Sequence, residues 1–349
     1  MDFTNKLTSW YSANKRDLPW RKTKNPYYIW LSEIILQQTQ VKQGLPYYNA
    51  FVKRFPTIFD LANASEQQVL KLWQGLGYYS RARNLHATAK HIAFELKGVF
   101  PNNYKDLIKL KGVGDYTASA IASIAFNEVA AVVDGNVYRV LARYFGIDTP
   151  INSTAGIKEF KALASSLIDK EQPATFNQAT MEFGATQCKP KNPYCIVCPL
   201  NEGCIALQRN LIGSLPVKLK RTKITTKYFN FLVYIDKNKN TILEKRISKG
   251  IWQNLYQFPL IESEKSLDSK QFYVLNLNNT ILKDVAFEYS LYNQKDIVHK
   301  LSHQHLHTKF WIIELDELPT TSVSIQQLKT YPTPVLISDF INTFNFHRI

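Results

Sequence analysis

Leu107-Ile-Lys-Leu-Lys-Gly-Val-Gly-Asp-Tyr-Thr-Ala-Ser-Ala-Ile-Ala-Ser-Ile-Ala125 is the stretch that decides the fold. A short helix runs into Gly112-Val113-Gly114, and a second helix opens near Asp115, with Ala118, Ile121, Ala122 and Ala125 recurring at intervals of three and four. Glycines let a backbone come close to a phosphate, and a helix start offers free N–H groups with a favourable dipole. Lys109 and Lys111 add positive charge. Such a grip holds a nucleic-acid backbone without reading its sequence. A Gly-x-Gly by itself marks any helix–helix turn. Between two helices, and twenty residues ahead of the isolated Asp134, it points to phosphate binding.

The bulk composition agrees. Of 349 residues 45% are apolar, enough for two domains with cores of their own. Lys and Arg number 43 against 28 Asp and Glu, a formal charge of +15, which calls for a polyanionic partner. A membrane fits less well: no apolar run reaches about 18 residues, and Met1 to Trp10 lacks the apolar core of a signal peptide. A cytoplasmic protein, associated with the nucleoid through DNA, is expected.

Up to about residue 210 the chain reads as helix, with apolar periodicity in Trp30, Ile34, Val41 and Leu45 and in Val69, Leu72 and Trp73. Ser65 followed by Glu66 and Gln68 marks a helix start, and residues 152–167 and 175–187 look helical. From 211 to 227 the chain carries Lys218, Lys220, Arg221, Lys223 and Lys227, with no acid from Gly213 onward, and reads as a basic linker. Beyond it Tyr228 to Ile235, Phe272 to Leu277 and Lys309 to Leu315 read as strands, with short helices near 324–329 and 338–344. The expectation is a helical domain over 1–210, a linker over 211–227 and a small α+β domain over 228–349.

All four cysteines fall in one loop, Cys188-x6-Cys195-x2-Cys198-x5-Cys204. A reducing compartment and this clustering argue against disulfides. Four thiolates in one loop suit zinc or a 4Fe–4S cluster. Zinc ribbons pair two C-x2-C knuckles, whereas only one tight pair occurs here, so the wider gaps favour one 4Fe–4S cluster.

Two carboxylates stand out. Glu33 lies in the apolar run Tyr28-Ile-Trp-Leu-Ser-Glu-Ile-Ile-Leu36, where burial should raise its pKa and suit it to general-acid work. Asp134, in Val132-Val-Asp-Gly-Asn136, precedes a helix and either caps it or stabilises a cation. Cleavage of a glycosidic bond needs both tools, an acid for the leaving group and an anion for the cationic sugar.

Together these stretches resemble the adenine DNA glycosylase (MutY) family of the endonuclease III, helix-hairpin-helix superfamily. The match covers most of the first 210 residues: Leu18-Pro-Trp-Arg21, Trp30 to Gln40, Leu72-Trp-Gln-Gly-Leu-Gly-Tyr-Tyr79, Arg81 to Leu85, the hairpin with Gly112 and Gly114, Val133 to Val137 and the cysteine loop. The resemblance implies that Glu33 protonates adenine and that Asp134 stabilises the sugar cation, supported by Tyr116 and Asn136. It implies that Trp20 and Arg21 line the adenine pocket. It also implies that Gln38, Thr39, Leu76 and Tyr78 fill the gap and contact the strand around 8-oxoguanine. Adenine inside a duplex must be flipped out to be reached. Bifunctional relatives carry a Lys two residues after the second hairpin glycine; Tyr116 stands there, and a phenol forms no Schiff base, so a monofunctional enzyme is expected.

The second domain resembles, more faintly, the Nudix-like lesion-reading domain of that family, through Gly250 to Pro259 and through Leu301-Ser302-His303, which matches its Ser-His reading loop with Leu301 in place of Phe. The Glu-rich Nudix hydrolase box is absent. The resemblance implies a monomer acting on double-stranded DNA that holds adenine opposite 8-oxoguanine or guanine. Two rivals are an endonuclease III-like lyase, disfavoured by Tyr116, and a non-catalytic redox sensor, in which Glu33 and Gln37 to Gln40 have no purpose.

Overall fold

A computed structural model describes residues 3–219, 224–276, 281–282, 287–319 and 321–346. In chain order its helices are α1 Phe3–Asn14, α2 Pro26–Leu36, α3 Val41–Arg54, α4 Ile58–Asn63, α5 Glu66–Trp73, α6 Ser80–Lys90, α7 Tyr104–Leu107, α8 Asp115–Phe126, α9 Gly135–Phe145, α10 Thr154–Leu167, α11 Pro173–Thr186 and α12 Ile205–Gln208. Then come strands β1 Thr225–Asp236, β2 Asn240–Thr241, β3 Glu244–Lys245, β4 Tyr256–Gln257 and β5 Leu260–Ser263, helix α13 Ser269–Asn276, strands β6 Glu288–Leu291, β7 Ile297–Lys300, β8 Gln304–Leu315 and β9 Val323–Ser324, and helix α14 Val335–Thr343. No helix among the described residues is long and apolar enough to cross a membrane.

Two compact units result, 1–64 with 84–220, and 65–83 with 221–349. The first is all helical. Every residue of α2 from Ile29 to Ile35 is buried, Glu33 included, because the helix packs on both α3 and α8 and has no solvent face. A second part of this core gathers Phe3, Leu7, Val137, Phe160, Phe176 and Phe183 from α1, α9, α10 and α11. Each fully buried phenylalanine contributes roughly 2–3 kcal/mol. Pro26 and Pro173 sit at helix starts, where a missing N–H costs nothing.

The second unit is built on a sheet of order β5-β1-β8-β6, with β7 also paired to β8. β1 and β8 run parallel from Thr225↔Gln304 to Asp236↔Leu315, and their partners are antiparallel. One face of this sheet buries Leu232, Tyr234, Trp311 and Ile313.

The structure differs from the sequence expectations at three places. Phe272 opens no strand; Phe272 to Asn276 lie in α13, and Leu277 lies outside the described residues. Asp268 and Gln271 cap that helix reciprocally, at 2.8 and 3.2 Å, and only Phe272 of the aromatic run is buried, stacked on Trp311 at 3.9 Å. Residues 211–219 are no free linker. Leu215 is buried, Val217 O accepts from Ile151 N at 3.0 Å, and the Leu219 backbone pairs with the Asn152 side chain, so this stretch is tied to the first unit. Lys220, Arg221 and Lys223 lie outside the described residues. Finally, residues 65–83 group with the second unit rather than with the helical one: Gln74 Nε2 donates to Thr333 Oγ1 at 3.3 Å and Arg83 Nη1 to Gln253 O at 2.8 Å.

Candidate active site

Glu33 is presented by a helix with no solvent face, and its partner comes from the hairpin. Tyr116, second residue of α8, donates its hydroxyl to Glu33 Oε2 at 2.6 Å, and Met181 Sδ lies 3.6 Å from the Tyr116 hydroxyl oxygen. Burial pushes the Glu33 carboxyl up to about 7; the Tyr116 hydrogen bond and Arg21 oppose that shift, and the Asp134 charge adds to it. The Tyr116 phenol is raised well above its ordinary value, chiefly by burial, so it stays a neutral donor.

Asp134 ends the irregular run that follows α8 and caps α9. Its Oδ1 accepts from Asn136 N at 2.9 Å and Val137 N at 2.8 Å, and its Oδ2 accepts from Asn136 Nδ2 at 2.8 Å. Burial raises its pKa, while these N–H groups and Arg139 pull it back towards the anion. The donors that cap the helix are thus the same ones that favour the anionic form of this carboxylate. Asn136 is fixed in turn by Arg139, whose Nη2 reaches Asn136 Oδ1 at 2.8 Å and whose Nε reaches Cys188 O at 2.8 Å.

Arg21 and Trp20 sit on a short 3-10 turn before α2. Arg21 is committed to Glu182, Nη2 to Oε2 at 2.7 Å, and Arg16 meets the same carboxylate through Nε and Nη2 at 2.7 and 2.6 Å. These two arginines hold buried Glu182 down to about 2 against the upward pull of burial. Trp20 is buried edge-on to Tyr48 at 5.0 Å. The Arg16–Arg21–Glu182 group is not flagged by sequence spacing. Its one signal was a lone carboxylate in the apolar run Thr180-Met-Glu-Phe-Gly184, the same signal that marks Glu33.

The hairpin glycines differ in what the fold demands of them. Gly112 has φ 79°, and a Cβ there would lie 2.7 Å from Asn84 Cβ. Gly114 has an ordinary φ of −96°, and a Cβ there would meet nothing within 4 Å. Gln38 and Thr39 fall in the break between α2 and α3; Gln38 is exposed and left-handed at φ 55°, a conformation costing a non-glycine residue about 1 kcal/mol or more.

The four cysteines line one cavity together with Phe183 and Leu200, close to Arg143, whose Nη1 lies 3.5 Å from Cys188 Sγ. Among the described residues no three His, Cys, Asp or Glu side chains converge on a single ion. Four soft donors set around a cavity suit a multi-atom cluster better than one ion. Burial raises Cys195, Cys198 (to about 11) and Cys204, so a bound cation is what would ionise them.

Within the second unit a pocket of about 520 Å³ is lined by Leu76, Tyr78, Trp252, His299, Ser302 and His303, among others. Two pairs named from different parts of the sequence, Leu76 with Tyr78 and Ser302 with His303, thus line one pocket. Tyr78 is half exposed and left-handed at φ 48°. His305 and His307 share a face of β8, where His307 lies 3.4 Å from Asp296.

Residues 31–164 match the family model of the HhH-GPD superfamily base excision DNA repair proteins, and residues 230–343 match that of the NUDIX domain. Fold and site together define a helix-hairpin-helix base-excision enzyme with a C-terminal Nudix-like domain. The adenine DNA glycosylase of Buchnera aphidicola subsp. Baizongia pistaciae is 40% identical over 315 residues, covering 89% of this chain and 86% of that one. This chain belongs to the adenine DNA glycosylases, repair enzymes that hydrolyse the N-glycosidic bond in DNA. Among solved structures, a thermostable thymine-DNA glycosylase shares 30% identity at TM-score 0.55 and covers 59% of this chain and 95% of that one. A non-covalent endonuclease III–DNA complex shares the fold at 22% identity and TM-score 0.52, over 60% and 94% of the two chains.

Proposed function

We propose that the enzyme removes adenine paired with 8-oxoguanine or guanine, as a monofunctional, monomeric, cytoplasmic glycosylase with one 4Fe–4S cluster. The observation that carries the mechanism is the buried Glu33 carboxyl, raised to about 7 and gripped by Tyr116 at 2.6 Å, with Asp134 adding its charge. Near neutrality Glu33 is still partly protonated and can deliver its proton to the flipped adenine ring. Electrons of the C–N bond leave with adenine, and the sugar cation forms against the Asp134 anion. Water then adds to the sugar and loses its proton to Glu33. Tyr116 holds the Glu33 carboxyl and offers no amine, so strand cleavage by Schiff-base chemistry has no nucleophile here. Trp20 and Arg21 wall the base pocket.

Gly112 and Gly114 bring the hairpin backbone to a phosphate, and open space around Gly114 supports that reading. Gln38 and Thr39 occupy the gap left in the duplex. Leu76, Tyr78, Ser302 and His303 read 8-oxoguanine, supported by their common pocket. Cys188, Cys195, Cys198 and Cys204 hold the cluster, which braces the loop carrying Lys189 and Lys191. Iron analysis of protein purified without oxygen should give about four irons per chain.

The test is an adenine:8-oxoguanine duplex treated with enzyme and then alkali. Wild type gives a cut strand only after alkali. Glu33→Gln binds the duplex but releases base at least about a hundredfold more slowly. Turnover by that variant at the wild-type rate removes Glu33 from the mechanism. Ser302→Ala with His303→Ala should lose the preference for 8-oxoguanine over guanine; an unchanged preference discards the reading loop.

A further inference from the structure

The segment Asn127–Asp134, which delivers Asp134, has no regular secondary structure, so its backbone groups need partners from elsewhere. Backbone carbonyls take Asn127 N, Glu128 N and Ala130 N, and two side chains hold the stretch from Ala130 to Val132. Asn177 of α11 donates to Ala130 O at 2.8 Å and accepts from Val132 N at 3.0 Å. Between these two contacts, Lys161 of α10 donates to Ala131 O at 2.8 Å. The same ammonium reaches Asp115 Oδ1 and Oδ2 at 3.0 and 2.9 Å and Ser119 Oγ at 3.1 Å. Tyr104 completes the group, with its hydroxyl on Asp115 Oδ1 at 2.7 Å and its ring 5.7 Å beneath the ammonium.

A lysine has three N–H donors, and four acceptors already share them, so none is spare for a DNA phosphate. A surface lysine–aspartate pair on its own would matter little. This one is tied also to a backbone carbonyl three residues before Asp134 and to the residue immediately before Tyr116.

We propose that Lys161 is a positioning residue for base removal: it clamps the start of α8, and so Tyr116 and Glu33, against the run-in to Asp134, fixing how the acid and the anion face one nucleotide. The inference rests on the reading of Glu33 and Asp134 given above. Misplacement of reacting groups by a fraction of an ångström to one ångström costs about ten- to a hundredfold in rate, and a lost clamp acts on that distance rather than on duplex affinity.

The experiment measures single-turnover base release and duplex dissociation constants on the full-length protein. Lys161→Met should release adenine about tenfold or more slowly, with duplex affinity within about twofold of wild type. Lys161→Arg, which keeps charge and donors, should recover most of the rate. The double variant K161M/D115N leaves no unpaired charge and guards against a single variant that does not fold; it should stay slow, because the Ala131 tie is still missing. A wild-type rate for K161M or for the double variant overturns the proposal. So does a K161M defect confined to affinity and reversed by D115N, which would make Lys161 a neutraliser of Asp115. Glu33→Gln and Asp134→Asn run alongside: wild-type rates in both sink the underlying mechanism, whereas slow controls beside a fast K161M sink the clamp alone.

Discussion

Glu33 owes its raised pKa to what surrounds it. Its carboxyl is raised to about 7, above the ordinary 4.5, mainly because α2 buries it. Two consequences follow with definite signs. In the proposed mechanism the protonated form is the acid, so the single-turnover rate should fall as pH rises above about 7, and a rate flat to pH 9 would contradict the assignment. A folded pKa above the unfolded one also means that the contribution of Glu33 to stability is full below pH 4.5 and lost as pH rises through 7. Glu33→Gln should therefore resist unfolding better than wild type at pH 8. Glu182 has the opposite sign. Held at about 2, it stabilises the fold above pH 4.5 by on the order of 3 kcal/mol, and that contribution disappears as pH falls towards 2. Urea unfolding of Glu182→Gln should show a deficit of that order at pH 7, closing on acidification. Both carboxylates lie in apolar runs of the chain, and only Glu33 was singled out there, because its run is also part of the matched stretch Trp30 to Gln40. The partners of Glu182 lie 161 and 166 residues away, beyond any local pattern.

At the scale of elements, the hairpin separates a demand of folding from a demand of function. Gly112→Ala meets both a left-handed φ and Asn84 at 2.7 Å, and should destabilise by about 1–3 kcal/mol. Gly114→Ala meets neither, so its melting temperature should match wild type while duplex affinity falls; equal affinity would mean that no phosphate approaches there. The helices around the hairpin were readable because caps and periodicity are local. Ser65 and Gln68 cap α5 reciprocally, as the sequence signalled. α13 was not read although its capping pair, Asp268 and Gln271, stood in the sequence. Aromatic and branched residues favour strands only where a sheet has room for them. Here Phe272 sits on a helix instead, its ring stacked on Trp311 of β8.

For the whole molecule the excess of positive charge has a measurable meaning. Raising salt from about 50 to 200 mM should weaken duplex binding at least about tenfold, by counterion release; salt-insensitive binding would contradict a phosphate grip. Sequence alone determined the helical and mixed halves and the hairpin, and pointed to the four-cysteine loop and the two carboxylates, because each is written in residues close together along the chain. Tertiary structure decided three further things. Residues 65–83 belong with the second unit, which brings Leu76 and Tyr78 into the pocket of Ser302 and His303. Residues 211–219 pack as structure rather than hang as a linker. And Tyr116 meets Glu33 across 83 residues in a site buried enough to raise that carboxyl to about 7. The physical reason is common to all three: desolvation and contact depend on which distant segments exclude water from a group, and spacing along the chain does not encode that.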